Sequence, residues 1–260
     1  MDSYRPECPS KEVLDGMAIL MVLTGIVTFV SLTWGGHSAA YGRYTLGGTK
    51  LALNSKVAWM TQEMWSFLVP LLLIWRQVAQ RGAHLGSLQV LLAAMFLAHY
   101  GWRSFAYPLL QRGGKATPVL IWLLAAIFCM YNGVLQGCDI LAREGKDVAL
   151  RQIIGVALWV VGWSVNLHSD HILRTLRKPG QRGYKIPRGG CFEYVSGANY
   201  FGEMLEWCGY AVAANSLPAA AFAFFTISNI GPRGWQHHLW YKEHFPGYPK
   251  HRRAVVPFLL

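Results

Sequence analysis

Negative charge is scarce in this sequence. Only 13 Asp and Glu stand against 24 Lys and Arg, and charged residues of all kinds make up 14% of the 260 positions while 53% are hydrophobic. Soluble domains carry about a quarter of their residues as charges, so an ordinary soluble fold is excluded and a membrane protein is indicated. Cysteine is also sparse. Cys8, Cys129, Cys138, Cys191 and Cys208 fall in no CxxC or metal-ligand spacing, and they read as free packing residues of a chain in a reducing setting. No GxGxxG follows a strand pattern, and GGTK at Gly47 to Lys50 lacks the other glycine and the Ser or Thr of a phosphate-cradling loop. Any nucleotide is therefore held by membrane helices and loops, without a Rossmann fold. His237 and His238 are adjacent but come without HxxxH or HExxH, so no metal is expected. Internal repeats, coiled coils and low-complexity tracts are missing as well.

Long apolar runs are what the chain has in quantity. Seven can be marked, at about 16–34, 57–75, 86–110, 117–141, 152–172, 198–214 and 216–231, each near the roughly 20 residues that a spanning helix needs. The last two are joined by NSLP, with Pro218 placed to start a helix, and after Ile230 the chain is no longer apolar enough to span. The first run follows a short polar lead and is expected to remain as a helix, without signal-peptide cleavage. The net charge of +11 is unevenly shared among the loops. With the N-terminus outside, the inner regions hold Arg43, Lys50, Lys56, Arg112, Lys115, six bases from Arg174 to Arg188, and Arg233, Lys242, Lys250, Arg252 and Arg253. The outer regions hold Arg5, Lys11, Arg76, Arg81, Arg143, Lys146 and Arg151. The positive-inside rule then places the basic loops and the C-terminal tail in the cytoplasm. The expected fold is an all-α integral membrane protein, a seven-transmembrane helix bundle with cytoplasmic loops. Bases spread through membrane loops suit anionic lipid or an anionic cofactor better than nucleic acid.

Polar residues inside the apolar runs point to a site. Asn166, Asp170, Arg174 and Arg177 fall on one helical face, and Asn199, Glu203 and Glu206 on another, so two polar stripes converge on a basic loop. Carboxylates and amides at such depth are costly unless they bind something. Gln62 and Glu63 sit between tryptophans in the second run. A carboxyl group there is protonated or paired, and a protonated acid can donate to a ketone; the plainer role is an interhelical hydrogen bond. Tyr100 and Arg103 share a face in the third run, a phenol able to donate to an oxygen gaining charge and a guanidinium able to reach a phosphate. Interface anchoring is the competing role for both. His99 and Trp102 read as packing. In the tail, Arg233, His237, His238 and Tyr241 lie on a short helix, suited either to a nucleotide, to the Glu203 stripe, or to lipid headgroups.

Several long strings then carry a resemblance. NLHSDHILRTLRKPG, YKIPRGGCFEYVSGANYFGEMLEWCGYA and LPAAAFAFFTI, with WMTQEMWSF and AHYGWRSFAYPLLQRGG upstream, resemble the membrane steroid 5-alpha-reductases from about residue 40 to the end. The first forty residues and the loop from Arg143 to Arg151 are generic. What the resemblance implies is a single domain over 1–260, with substrate-side helices in about 1–115 and cofactor-binding helices and loops in about 116–260. It implies NADPH-dependent reduction of the 4,5 double bond of a 4-ene-3-oxosteroid. It further implies that Glu63 and Tyr100 bond the 3-keto oxygen beside Gln62. On the cofactor side it places Arg103, Arg112, Asn166, Asp170, Arg177, Tyr184, Asn199, Glu203, Arg233, His237 and Tyr241. One departure is that the basic residue following Arg112 is displaced to Lys115 by Gly113 and Gly114. The implied partners are a steroid or steroid-like lipid and membrane lipid, with no nucleic acid and no metal. The implied location is the endoplasmic reticulum in a eukaryote or the inner membrane in a bacterium.

Hydride addition to the β carbon of an enone drives charge onto the ketone oxygen, where donors such as Glu63 and Tyr100 stabilise it as it forms. Alternatives in the same fold are reduction of another lipid enone and methyl transfer of the isoprenylcysteine type. A transporter with Glu63, Asp170 and Glu203 as a proton relay is a further reading, but it lacks visible inverted repeats.

Overall fold

The computed structural model describes residues 8–35, 51–80, 82–143, 149–176 and 183–259. Arg177, expected on the cofactor side, lies outside the described residues, as does the GGTK string. Within them the order is α1 (Lys11–Trp34), β1 (Ala52–Leu53), α2 (Ser55–Trp75), α3 (Ser87–Gly101), α4 (Tyr107–Leu110), β2 (Thr117–Pro118), α5 (Val119–Ala142), α6 (Leu150–Thr175), α7 (Ala198–Ala214) and α8 (Leu217–His244). The two short strands pair antiparallel and tie the approach to α2 to the approach to α5. Four helices, Lys11–Trp34, Ser55–Gln80, Val119–Ala142 and Leu150–Thr175, are long and apolar enough to cross a membrane. Their outer faces carry exposed Ile19, Leu20, Val27, Leu72, Leu124, Ile153 and Val161, an apolar coat that hydrocarbon solvates and water does not.

The helix ends follow the sequence. Ser10 caps α1 by accepting from the Val13 N–H, and Asn54 caps α2 by accepting from the Lys56 N–H. Ser216 caps α8 by accepting from the Ala219 N–H, with Pro218 in the first turn where its missing N–H costs nothing. Between α3 and α4 the helix widens into a π turn over Trp102–Ala106. Pro108 is the physical reason, since its ring would clash with the carbonyl four residues back in an ordinary α turn. The tail expected as a separate short helix is instead the end of α8, which continues through Pro232 to His244. The loss of apolar character after Ile230 does not end the helix.

Glycines set how closely helices approach. A methyl group on Gly162 would stand 2.3 Å from the Glu206 nitrogen, one on Gly202 2.4 Å from the Asn166 nitrogen, and one on Gly209 2.4 Å from the Trp159 nitrogen. Helices α6 and α7 thus touch backbone to backbone, the small-residue packing by which membrane helices associate. The contact brings Asn166 of α6 within reach of α7, where its amide donates to the Asn199 carbonyl at 3.0 Å. Gly202→Ala is expected to push the two helices apart and lower stability by about 1–3 kcal/mol. Thermal unfolding in detergent measures this, and an unchanged midpoint would show that the contact yields freely.

The cysteines require a correction. Cys8 and Cys138, 130 residues apart, form a disulfide with Cα atoms 5.6 Å apart, while Cys129, Cys191 and Cys208 are free. Spacing motifs report only bridges between sequence neighbours. Here the packing of α1 near α5 brings distant residues within bonding range.

Candidate functional site

Helices α2, α3, α6 and α7 converge on one charged cluster. Arg103, in the wide turn after α3, donates to Asp170 of α6 at 3.0 Å and pairs with Glu203 of α7 at 3.7 Å. Its guanidinium lies between two rings, 4.7 Å from the centroid of Trp59 on α2 and 4.7 Å from that of Tyr107 on α4. One cation thus satisfies two largely buried carboxylates that would otherwise repel one another. The flat, weakly hydrated guanidinium suits a slot between aromatic faces better than an ammonium would.

Glu63 and Tyr100 lie beside this cluster. Glu63 is part-buried on α2 and accepts from the Gln62 amide at 3.3 Å, and the Cys129 thiol approaches it at 3.7 Å. It is within electrostatic range of Arg103, Glu203 and His99. Tyr100 is buried on α3, within range of Glu63 and Cys129. Its ring is wedged among Phe96 at 4.8 Å, His99 at 5.0 Å and Trp207 at 5.8 Å. Aromatic packing on three sides fixes where the phenol oxygen points.

On the far side of Asn199 lies a cavity of about 220 Å³. Tyr184, Lys185, Ser196, Asn199, Tyr200, His237 and Tyr241 supply its polar lining, and Leu173, Leu176 and Phe192 its apolar wall. The Tyr200 and His237 rings meet at 5.7 Å, and Tyr184 packs edge-on to Trp240 at 5.0 Å. Tyr241 stacks on Tyr248. A knot of hydrogen bonds supports this wall. Ser196 bonds the His238 ring at 2.6 Å and the Tyr248 hydroxyl, and buried Arg252 donates to the Pro187 carbonyl at 2.8 Å. In the turn before α7 the Glu193 carboxylate accepts from the Gly189 N–H at 2.6 Å. That bond, with Arg252 nearby, holds the carboxyl group below its usual range.

The structure therefore brings together Gln62, Glu63, Tyr100, Arg103, Asp170 and Glu203 around the charged cluster, and Tyr184, Asn199, His237 and Tyr241 around the cavity, with Asn166 bonded to the Asn199 carbonyl. Arg112 is exposed in the turn after α4, where Gly113 and Gly114 adopt φ of +77° and +143°. Arg233 lies one turn before His237 on α8 and does not line the cavity. Among the described residues no group of three His, Cys, Asp or Glu is placed to hold a metal ion.

Several residues escaped the sequence reading. His99, read as packing, hydrogen-bonds buried Glu206 at 2.6 Å, so Glu206 leaves the stripe of Asn199 and Glu203 to clamp α7 to α3. Nothing in the sequence pairs residues 107 positions apart. Tyr107 was legible, being four residues after Arg103 and so on its face. Asn132 and Gln136, two fully buried amides one turn apart in α5, carried the same signal as Gln62 and Glu63.

Comparison with known proteins bears on these residues. Residues 115–260 match the family described as 3-oxo-5-alpha-steroid 4-dehydrogenase. The chain is 45% identical over 267 residues to 3-oxo-5-alpha-steroid 4-dehydrogenase 1 of Bos taurus, covering 98% of this chain and 100% of that one. It is 46% identical over 255 residues to the Homo sapiens protein of the same name, covering 96% of each. Against 3-oxo-5-alpha-steroid 4-dehydrogenase 2 of Homo sapiens it is 41% identical over 259 residues, covering 97% of this chain and 98% of the relative. With likeness of that extent over nearly its whole length, the chain belongs to the 3-oxo-5-alpha-steroid 4-dehydrogenase family.

Proposed function

We propose that this protein reduces the 4,5 double bond of a 4-ene-3-oxosteroid to the 5-alpha product, with NADPH as the reductant. The observation that carries the reading is the Arg103 hub. It joins the helix bearing Tyr100 to the two helices bearing Asp170 and Glu203, so that a ketone-binding face and a nucleotide-binding face share one anchor.

The residues suit the cofactor in chemistry. Hydroxyl, amide and imidazole groups of Tyr200, Asn199 and His237 line a cavity with Lys185 at its edge, a set that suits ribose hydroxyls and an aromatic base with an anionic group nearby. When bound, NADPH supplies the hydride. Asn166, Asp170, Asn199 and Glu203 would hold it, with Arg103, Arg112, Arg177, Tyr184, Arg233, His237 and Tyr241 on the same side. Glu63 and Tyr100 donate hydrogen bonds to the 3-keto oxygen, where negative charge gathers as the double bond is reduced, and the aromatic packing around Tyr100 keeps water from that oxygen. Gln62 orients Glu63. The division into a substrate-side portion over about 1–115 and a cofactor-side portion over about 116–260 belongs to the same proposal.

The orientation follows. Seven helices cross the bilayer, the third as α3 with α4, and the basic loops and tail face the cytosol and its nucleotide pool. Two findings support this. Bases crowd the loops assigned inside, and the disulfide joins Cys8, before α1, to Cys138, near the end of α5, positions that this topology puts together on the outer, oxidising face.

The test is to follow nicotinamide absorbance with purified protein in detergent, NADPH and a panel of 4-ene-3-oxosteroids, and to weigh the product. The expected result is cofactor consumption with a product heavier by two hydrogens and of 5-alpha configuration. Consumption with a non-steroid lipid enone and none with any steroid overturns the substrate assignment and leaves lipid-enone reduction in its place.

A further inference from the structure

A run of buried amides ends on the Tyr100 hydroxyl. Gln136 Nε2 donates to the Pro218 carbonyl at 3.0 Å and to Asn132 Oδ1 at 3.2 Å, and Asn132 Nδ2 lies 3.4 Å from Tyr100 Oη. Asn132 and Gln136 are fully buried and Tyr100 nearly so. The direction of every bond in this run is set from its far end. A backbone carbonyl can only accept, so the group that Gln136 turns toward Pro218 is its NH2. The second hydrogen of that NH2 meets Asn132, which must present its oxygen, and Asn132 is thereby left with its own NH2 toward Tyr100. The phenol oxygen receives a hydrogen bond from within the protein.

A phenol has one proton and lone pairs that accept. An acceptor at position 132 would draw that proton inward and away from any ligand. A donor there does the reverse: it engages a lone pair and leaves the O–H to be given elsewhere. It also polarises the O–H as a donor, because hydrogen bonds in series strengthen one another. Ser66 is another polar group beside this hydroxyl. It gives its own proton to the Cys129 carbonyl at 3.0 Å, so its oxygen is an acceptor on which the phenol proton can rest until a ketone oxygen takes its place. Asn132 and Ser66 both leave Tyr100 to act as a donor. The packing that holds Asn132 in place is equally specific. A methyl group on the adjacent Gly133 would stand 2.8 Å from the Trp65 carbonyl, so α5 sits directly against α2 at this level.

We propose that Asn132, held in orientation by Gln136 and the Pro218 carbonyl, is a positioning residue that commits the Tyr100 hydroxyl to donating its proton to the substrate oxygen. This rests on the reading of Tyr100 as a ketone donor, and the experiment separates the two. Turnover per folded molecule is measured for Asn132→Leu, Tyr100→Phe and the double substitution, with the 4-ene-3-oxosteroid and NADPH. Loss of one such hydrogen bond is worth about a factor of 3–10. Asn132→Leu is expected to lower kcat by about that factor in the presence of Tyr100 and by less than about twofold in the Tyr100→Phe background, because the effect passes through the phenol. Cofactor KM stays unchanged in both. Equal losses in the two backgrounds would mark a purely structural residue and overturn the proposal, as would no loss beside an intact Tyr100. If Tyr100→Phe alone leaves turnover unchanged, the ketone-donor reading itself fails and this one with it. Asn132→Ala, which adds no apolar bulk against α2, gives the same comparison should the leucine variant not accumulate.

Discussion

Arg103→Met abolishes turnover and lowers the thermal midpoint in detergent by many degrees. The substitution keeps an unbranched side chain between Trp59 and Tyr107 but removes the only positive charge that bonds Asp170 and Glu203 among the described residues. Two carboxylates then face each other with little water to solvate them, and breaking a buried pair in this way costs about 3–5 kcal/mol. Arg103→Lys is expected to recover only part of the loss, since an ammonium neither bridges two carboxylates as a planar fork does nor stacks between rings. Neutralising the partners separates stability from function. Arg103→Met with Asp170→Asn and Glu203→Gln regains thermal stability, because no uncompensated charge remains, yet stays inactive because the shared anchor is gone. Intrinsic tryptophan fluorescence during heating follows the first quantity and nicotinamide absorbance the second. A single substitution that melts with the parent would remove the hub from the account of both fold and function.

Tyr100→Phe lowers kcat by about 10²–10³, the range seen when one donor to a developing oxyanion is deleted. The substitution leaves the ring packing on Phe96, His99 and Trp207 intact and cofactor KM is preserved, while the buried Asn132 amide loses the oxygen it donates to, which lowers stability by about 1–3 kcal/mol. Glu63→Gln acts in the same direction with a smaller effect, because an amide still donates, though more weakly than a carboxylic acid. The two together cost less than the product of the separate losses, as expected of groups that bind one atom. Undiminished turnover in both single variants would falsify their assignment to the ketone oxygen.

The parts of this molecule that could be read in advance are those whose cause is local. Hydrophobic length marks the apolar stretches, and each coincides with a helix; a Ser or Pro at the right offset marks the start of α8. The face shared by Asn166 and Asp170, and that shared by Asn199 and Glu203, follow from helical periodicity alone, and the structure packs them against one another. Pairings between distant positions stayed hidden. His99 and Glu206, or Cys8 and Cys138, are brought together by the packing of α3 on α7 and of α1 near α5, and hydropathy says nothing about which helix lies beside which. Arg103 shows the intermediate case. Its place on a polar face could be read in the sequence, but its two carboxylate partners could not, because they arrive from separate helices.

The cross-link between Cys8 and Cys138 bears on how the protein is handled. Closing a ring of this size removes freedom from the unfolded chain equivalent to about 5 kcal/mol. Preparations kept in strong thiol reductant would leave the first helix moored by packing and by the hydrogen bonds that Tyr131 and Gln236 give to its carbonyls, and two laboratories differing only in their buffer would be comparing differently tethered molecules.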